Sequence, residues 1–91
     1  MKNRNQKFKI GEICRLSELG INRRAVIEKI EIQNYAIYRR IVEMGITSGS
    51  IVEIKKIAPL GDPVGLLIRG YELCVRKSEL KNIIARVVKW K

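Results

Sequence analysis

Two prolines and a glycine fall within five positions, Pro59-Leu60-Gly61-Asp62-Pro63. Each proline fixes φ and lacks an N–H donor, so neither fits a helix interior or a central strand. Gly61-Asp62 between them is turn chemistry that tolerates positive φ. The stretch reads as a rigid loop, and alternating runs flank it. Residues 50–57 put Val52 and Ile54 on one face, with Glu53 and Lys55 on the other. Residues 64–69 put Val64, Leu66 and Ile68 inward and Gly65, Leu67 and Arg69 outward. Gly70-Tyr71 then reads as a two-residue turn into a further strand. There Leu73 and Val75 face in, while Glu72, Cys74 and Arg76 face out. Such a turn fixes the pairing: Arg69 opposite Glu72, Ile68 opposite Leu73, Leu67 opposite Cys74, Leu66 opposite Val75. Leu67 beside Cys74 on an outer face is a candidate contact for a partner or a second copy. Residues 8–15 are the available cover for it.

The rest of the chain supplies what closes this pair of hairpins. Residues 16–19 suit one helical turn or an extended entry, and residues 20–24 a turn. Residues 24–32 form a strand whose apolar phase changes between Ile27 and Ile30. A period-two strand keeps both on one face only with a bulge or a strong bend. Asn34 is a helix cap. From Tyr35 the spacing turns helical, with Ile37, Ile41 and Met44 in a stripe that Tyr38 and Val42 widen. Gly45 suits the left-handed residue that ends a helix, with Ile46 packing back on the last turn. Ser78 is placed to cap a short helical turn over residues 79–82, and residues 83–88 make a closing strand. Phe8, Ile10 and Ile13 are candidate anchors for the N-terminal segment. Trp90 has no obvious core position and reads as folded back or as part of an interaction surface. Short antiparallel strands around one helix fit a small, partly open barrel. No long crossover helix is available for parallel pairing.

The composition narrows the function. The net charge is +10, but seven of the nineteen basic residues lie in segments 1–9 and 86–91, which carry no acid. Between them twelve basic residues face nine acidic ones. The body is thus only mildly basic, and the tails can attract phosphates or acidic surfaces without reading them. With one Phe, one Trp and three Tyr, a base-stacking surface is poorly supplied. There is no histidine, which removes the commonest neutral-pH base and the commonest metal ligand. Cys14 and Cys74 form no Cys-x-x-Cys and read as ordinary thiols of a reducing compartment. No phosphate-binding nucleotide loop occurs, and Glu53, Asp62, Glu72 and Glu79 show no paired-acid spacing. Asp62 is expected to accept N–H bonds within its own turn. These observations point to a binding module with no catalytic residue, no metal site and no cofactor. No apolar run reaches the ~18 residues of a spanning helix, and no secretory leader is recognisable, so a cytoplasmic location is expected.

Three loop strings in order carry a family resemblance: Glu43-Met44-Gly45-Ile46-Thr47-Ser48-Gly49-Ser50, Ala58-Pro59-Leu60-Gly61-Asp62-Pro63-Val64 and Arg69-Gly70-Tyr71-Glu72-Leu73. Together with Leu16-Ser17-Glu18-Leu19 they resemble the FeoA family of bacterial ferrous iron transport. The resemblance covers residues 16–88. It implies a mainly β fold, a small SH3-like partly open β-barrel with one α-helix and a short helical turn. The expected organisation is a basic tail over 1–9, an SH3-like domain over 10–88 and a basic end over 89–91. The resemblance also implies a non-enzymatic accessory or regulatory protein. It would dock on the cytoplasmic part of the FeoB transporter, which carries a GTP-binding domain, and meet a membrane only through that partner. Loop tips of rigid scaffolds carry such contacts. Leu60, Asp62, Pro63 and Tyr71 are the candidates, with Leu67 and Cys74 beside them, while Gly45, Gly61 and Gly70 serve as structural turns. Two alternatives remain at this stage. One is an SH3-like module that binds a metal-dependent transcription regulator or its proline-rich segment. The other is a basic nucleic-acid-binding barrel, for which the sequence offers no specific reading element.

Overall fold

The computed structural model describes residues 8–89. Six strands form one antiparallel sheet in the order β1-β6-β2-β3-β4-β5. They are β1 (Ile13–Arg15), β2 (Arg24–Ile30), β3 (Ile51–Ile57), β4 (Val64–Ile68), β5 (Tyr71–Val75) and β6 (Ile83–Val88). Helix α1 (Tyr35–Glu43) joins β2 to β3, and a one-turn helix α2 (Lys77–Leu80) joins β5 to β6. A 3₁₀ turn (Leu16–Glu18) follows β1.

The phase change in β2 is a bulge. Ile27 pairs with Ala85 and Lys29 with Ile84, so Glu28 is the extra residue. A second irregularity in β3 falls between Ile54 and Lys56. Each bulge bends its strand and increases the twist. The sheet curls round one core in which Leu16, Leu19, Ile27, Ile41, Ile46, Ile54, Leu66, Ile68, Leu80 and Ile83 are buried. The two end strands, β1 and β5, do not pair with each other, so the barrel stays partly open.

The ends of α1 follow the sequence. Asn34 Oδ1 accepts the Ile37 N–H at 3.1 Å. Gly45 lies at φ +94°. Its N–H reaches the Val42 carbonyl at 2.9 Å, and the Ile46 N–H reaches Ile41 at 3.2 Å. These two bonds make a Schellman closure, and Ile46 drops into the core as expected. The apolar stripe is narrower than the spacing suggests. Ile41 is buried, Ile37, Val42 and Met44 are half-buried, and Tyr38 faces outward at 39% exposure. An ion pair between Arg40 and Glu79 of α2 supplements that narrow apolar contact.

Four expectations are corrected. Residues 13–15 form a strand, β1, on β6, and none of residues 8–15 lines the depressions at Leu67 or at Cys74. Cys14 is buried in that strand and Phe8 packs on the core, whereas Ile10 and Ile13 point outward. The tight turn is Arg69-Gly70, not Gly70-Tyr71. Arg69 has φ +51° and Gly70 φ +82°, the two left-handed residues of a type I′ turn. A non-glycine residue rarely takes that conformation, which is why the sequence pointed one residue on. The pairing therefore slides by two. Ile68 faces Tyr71, Leu67 faces Glu72, Leu66 faces Leu73, and Gly65 faces Cys74. A shift of two preserves the faces, so the inward set was right while the Leu67–Cys74 pair was not. Finally, α2 begins at Lys77, before Ser78, and its cap comes from elsewhere in the chain. Trp90 and residues 1–7 lie outside the described residues.

Candidate docking surface

The loop between β3 and β4 is built from its base outward. The Ala58 N–H donates to the Pro63 carbonyl at 3.1 Å, closing the base. The Gly61 N–H donates to the Ala58 carbonyl at 2.7 Å, closing a β-turn with Pro59 and Leu60 at its centre. Pro59 pre-sets the φ that position requires. Gly61 sits at φ +91°, and the Asp62-Pro63 bond is cis. Asp62 does not serve its own turn. Its Oδ1 accepts the Lys77 N–H at 2.8 Å, which caps α2 from across the fold. The loop is thus fastened at its neck and to α2. Leu60, at its tip, is 98% exposed. A leucine held out on a rigid turn is an apolar contact presented at little ordering cost.

The Arg69-Gly70 turn lies at the other end of β4. The five residues of β4 separate the two ends by roughly 13 Å. Tyr71 opens β5 there and is 72% exposed. The Arg69 guanidinium reaches back to Ser50 Oγ at 3.3 Å, and Ser50 in turn donates to the Gly45 carbonyl at 3.3 Å. Leu67, half-buried, shares a shallow depression with Arg24, Ile51, Glu53 and Arg69. The candidate residues therefore divide. Leu60, Asp62, Pro63 and Cys74 gather at the loop end, while Leu67 and Tyr71 belong to the turn end.

Two depressions meet at the loop end. One, of about 360 Å³, is lined by Asp62, Pro63, Cys74 and Arg76. The other, of about 400 Å³, is walled by Ile21, Ile57, Pro63 and Cys74, with Gly65 on its floor. Sequence reasoning gave Ile21 to a turn and Gly65 only an outward face. The available signal was a glycine inside the apolar run 64–68, which marks a place of close approach.

Cys74 is exposed and Cys14 buried, with no disulfide between them. Among the described residues no group of three or more Cys, Asp and Glu side chains is arranged to hold a metal ion. Among the same residues no helix is long and apolar enough to cross a membrane.

A curled six-stranded sheet with a proline-bound loop standing on it defines a small, partly open β-barrel of the SH3-like class. The FeoA domain model matches residues 14–87, and the chain belongs to that family. It is 35% identical over 75 residues to the Fe(2+) transport protein A/Fe(2+) transporter FeoB fusion protein of Porphyromonas gingivalis. The match takes in 81% of this chain but only 9% of that relative's length. The FeoA-like protein of Clostridium acetobutylicum superposes with a TM-score of 0.74 at 38% identity, covering 88% of this chain and 87% of that one. The zinc-complexed FeoA of Stenotrophomonas maltophilia, described as a prokaryotic SH3 domain protein, gives 0.67 at 32% identity, covering 77% and 86%.

Proposed function

We propose that this chain is a non-enzymatic, cytoplasmic accessory protein of ferrous iron uptake. It docks on the cytoplasmic part of a FeoB-type transporter, which carries the GTP-binding domain. The observation that carries this reading is Leu60: an almost fully exposed leucine on a turn fastened at its base and through Asp62 to α2. Rigid loop tips on a packed scaffold are where recognition is expected. The fused relative from P. gingivalis supports the choice of partner, since it carries both names in one chain. Covalent linkage replaces a bimolecular encounter by a high effective concentration, an advantage only where the two parts meet.

In this mechanism the protein supplies shape, not chemistry. Leu60, Asp62, Pro63 and Cys74 form the primary contact end, and Tyr71 with Leu67 form a second contact for a partner large enough to span the hairpin. Its effect on transport comes through assembly or through stabilising one state of the partner.

Binding of the purified chain to the cytoplasmic GTP-binding domain and to the detergent-solubilised transporter, at low and physiological salt, tests the reading. Affinity that survives the higher salt and falls on Leu60→Ala supports it. Affinity that vanishes with salt would assign the interaction to the basic ends and overturn it.

A further inference from the structure

The outer face of the β3–β4–β5 sheet carries a notch that shares Pro63 and Cys74 with the loop end but otherwise lies outside the docking reading. Lys56, Gly65 and Cys74 are direct cross-strand neighbours in one row. The middle member has no side chain. A Cβ built on Gly65 would stand 3.3 Å from the Lys56 Cβ, so the row closes tightly on its β3 side. Above it lies the groove of about 400 Å³ walled by Ile21, Ile57, Pro63 and Cys74. Its lining is mostly carbon.

The charges around the groove have one sign in excess. Lys55 and Lys56 line it, and Arg76 lines the adjoining depression. Lys55 stands 3.7 Å from Glu53 Oε2, and Arg24 holds the other oxygen of that carboxylate at 3.0 Å, so two cations share one charge. Lys56 is exposed and has no ion pair among the described residues. Asp62, which lines the adjoining depression, uses Oδ1 on the Lys77 N–H.

The strand at the lip of the groove has an open edge. β4 is the only neighbour of β5 among the described residues. The two-residue turn makes Ile68 and Tyr71 a hydrogen-bonded pair, and antiparallel pairs then alternate. Leu66–Leu73 and Val64–Val75 bond, while Glu72 and Cys74 turn their N–H and C=O groups away from β4. Such an edge is a template for one more strand.

We propose that this edge and the groove over Gly65 form a docking site for an extended segment of a partner protein. The segment adds to β5 as a seventh strand. One large apolar side chain packs on Cys74 at the mouth of the groove that leads to Gly65. Carboxylates next to it face Lys55, Lys56 and Arg76. Charge selects the occupant. An uncharged or basic segment of the same apolar content meets three cations and gains nothing from them. The inference goes beyond the transporter reading, because it holds for any partner that presents such a segment.

The test uses the full chain, ¹⁵N-labelled, and two capped hexapeptide probes. One is Glu-Asp-Leu-Val-Asp-Glu; the other carries Lys at each acidic position. The acidic probe is expected to move the amide signals of Gly65, Glu72 and Cys74, and to bind at least about tenfold more tightly than the basic one. Lys56→Glu, at an exposed site where folding is not at stake, should reverse most of that preference. Gly65→Val should fill the groove and weaken binding of the acidic probe by a similar factor. Three results would each overturn the proposal. In one, both probes bind equally or neither binds. In another, the shifts fall on α1 or on the ends of the chain. In the third, the β5 signals move on dilution without any probe, which would make a second copy the occupant. Binding of the transporter domain is scored separately, so the groove can fail while the Leu60 contact stands.

Discussion

The two ends of the β4–β5 hairpin are built on opposite plans. At the loop end, two backbone bonds close the neck and Asp62 ties it to α2. Leu80 of α2 is wholly buried beneath. At the turn end, two left-handed residues reverse the chain in the smallest possible space, and one long Arg69–Ser50 bond holds the reversal. Both ends expose a large apolar residue. Only the loop end fixes its residue, Leu60, on a scaffold with several independent ties. What the difference teaches is that exposure alone does not mark a contact. The order imposed on the exposed group decides what it can add to binding.

The comparison can be broken by substitution. The largest effect is expected under the loop end: Leu80→Ala should lower stability by about 2–5 kcal/mol in urea unfolding, the usual range for a buried leucine. Tyr71→Ala, on the surface of the turn end, should change it by less than about 0.5 kcal/mol. Next comes Arg40→Ala. It leaves the buried Glu79 carboxylate without its cation and should cost about 1–3 kcal/mol. Half of the Arg40 side chain is exposed, which keeps the effect below that of a fully buried pair. Asp62→Ala removes the cap of α2 and should cost about 1 kcal/mol, or several degrees in Tm for a domain of this size. The smallest effect sharpens the contrast. Arg69→Gly relieves a left-handed arginine but gives up the Ser50 bond and frees the unfolded chain. These terms nearly cancel, and the change should stay within about 0.5 kcal/mol.

Much of this architecture was legible because it rests on local rules. The Pro59–Gly61–Pro63 spacing admitted only a loop. The phase break between Ile27 and Ile30 required the β2 bulge, and Asn34 and Gly45 marked both ends of α1. What escaped depended on distant parts of the chain. Ser78 looks like the cap of α2 within its own neighbourhood, but Asp62, fifteen residues upstream, reaches Lys77 first. Arg69 takes a conformation disfavoured for arginine and is tied there to Ser50, nineteen residues away. That moved the register by two while leaving every face intact. The candidate surface was half legible. Leu60 was recognisable as a loop residue, but Tyr71, read as part of the turn, opens β5, and the separation of the two by the length of β4 was not legible. The groove over Gly65 needed three strands and Ile21 to be brought together.

The most direct test of the account is a titration of the cytoplasmic GTP-binding domain with the wild-type chain, Leu60→Ser and Tyr71→Ser, at physiological salt, with Tm measured on each. The account predicts that Leu60→Ser keeps the wild-type Tm and loses at least about tenfold in affinity, while Tyr71→Ser loses less. Wild-type affinity in Leu60→Ser together with lost binding in Tyr71→Ser would contradict it, and would move the contact to the turn end.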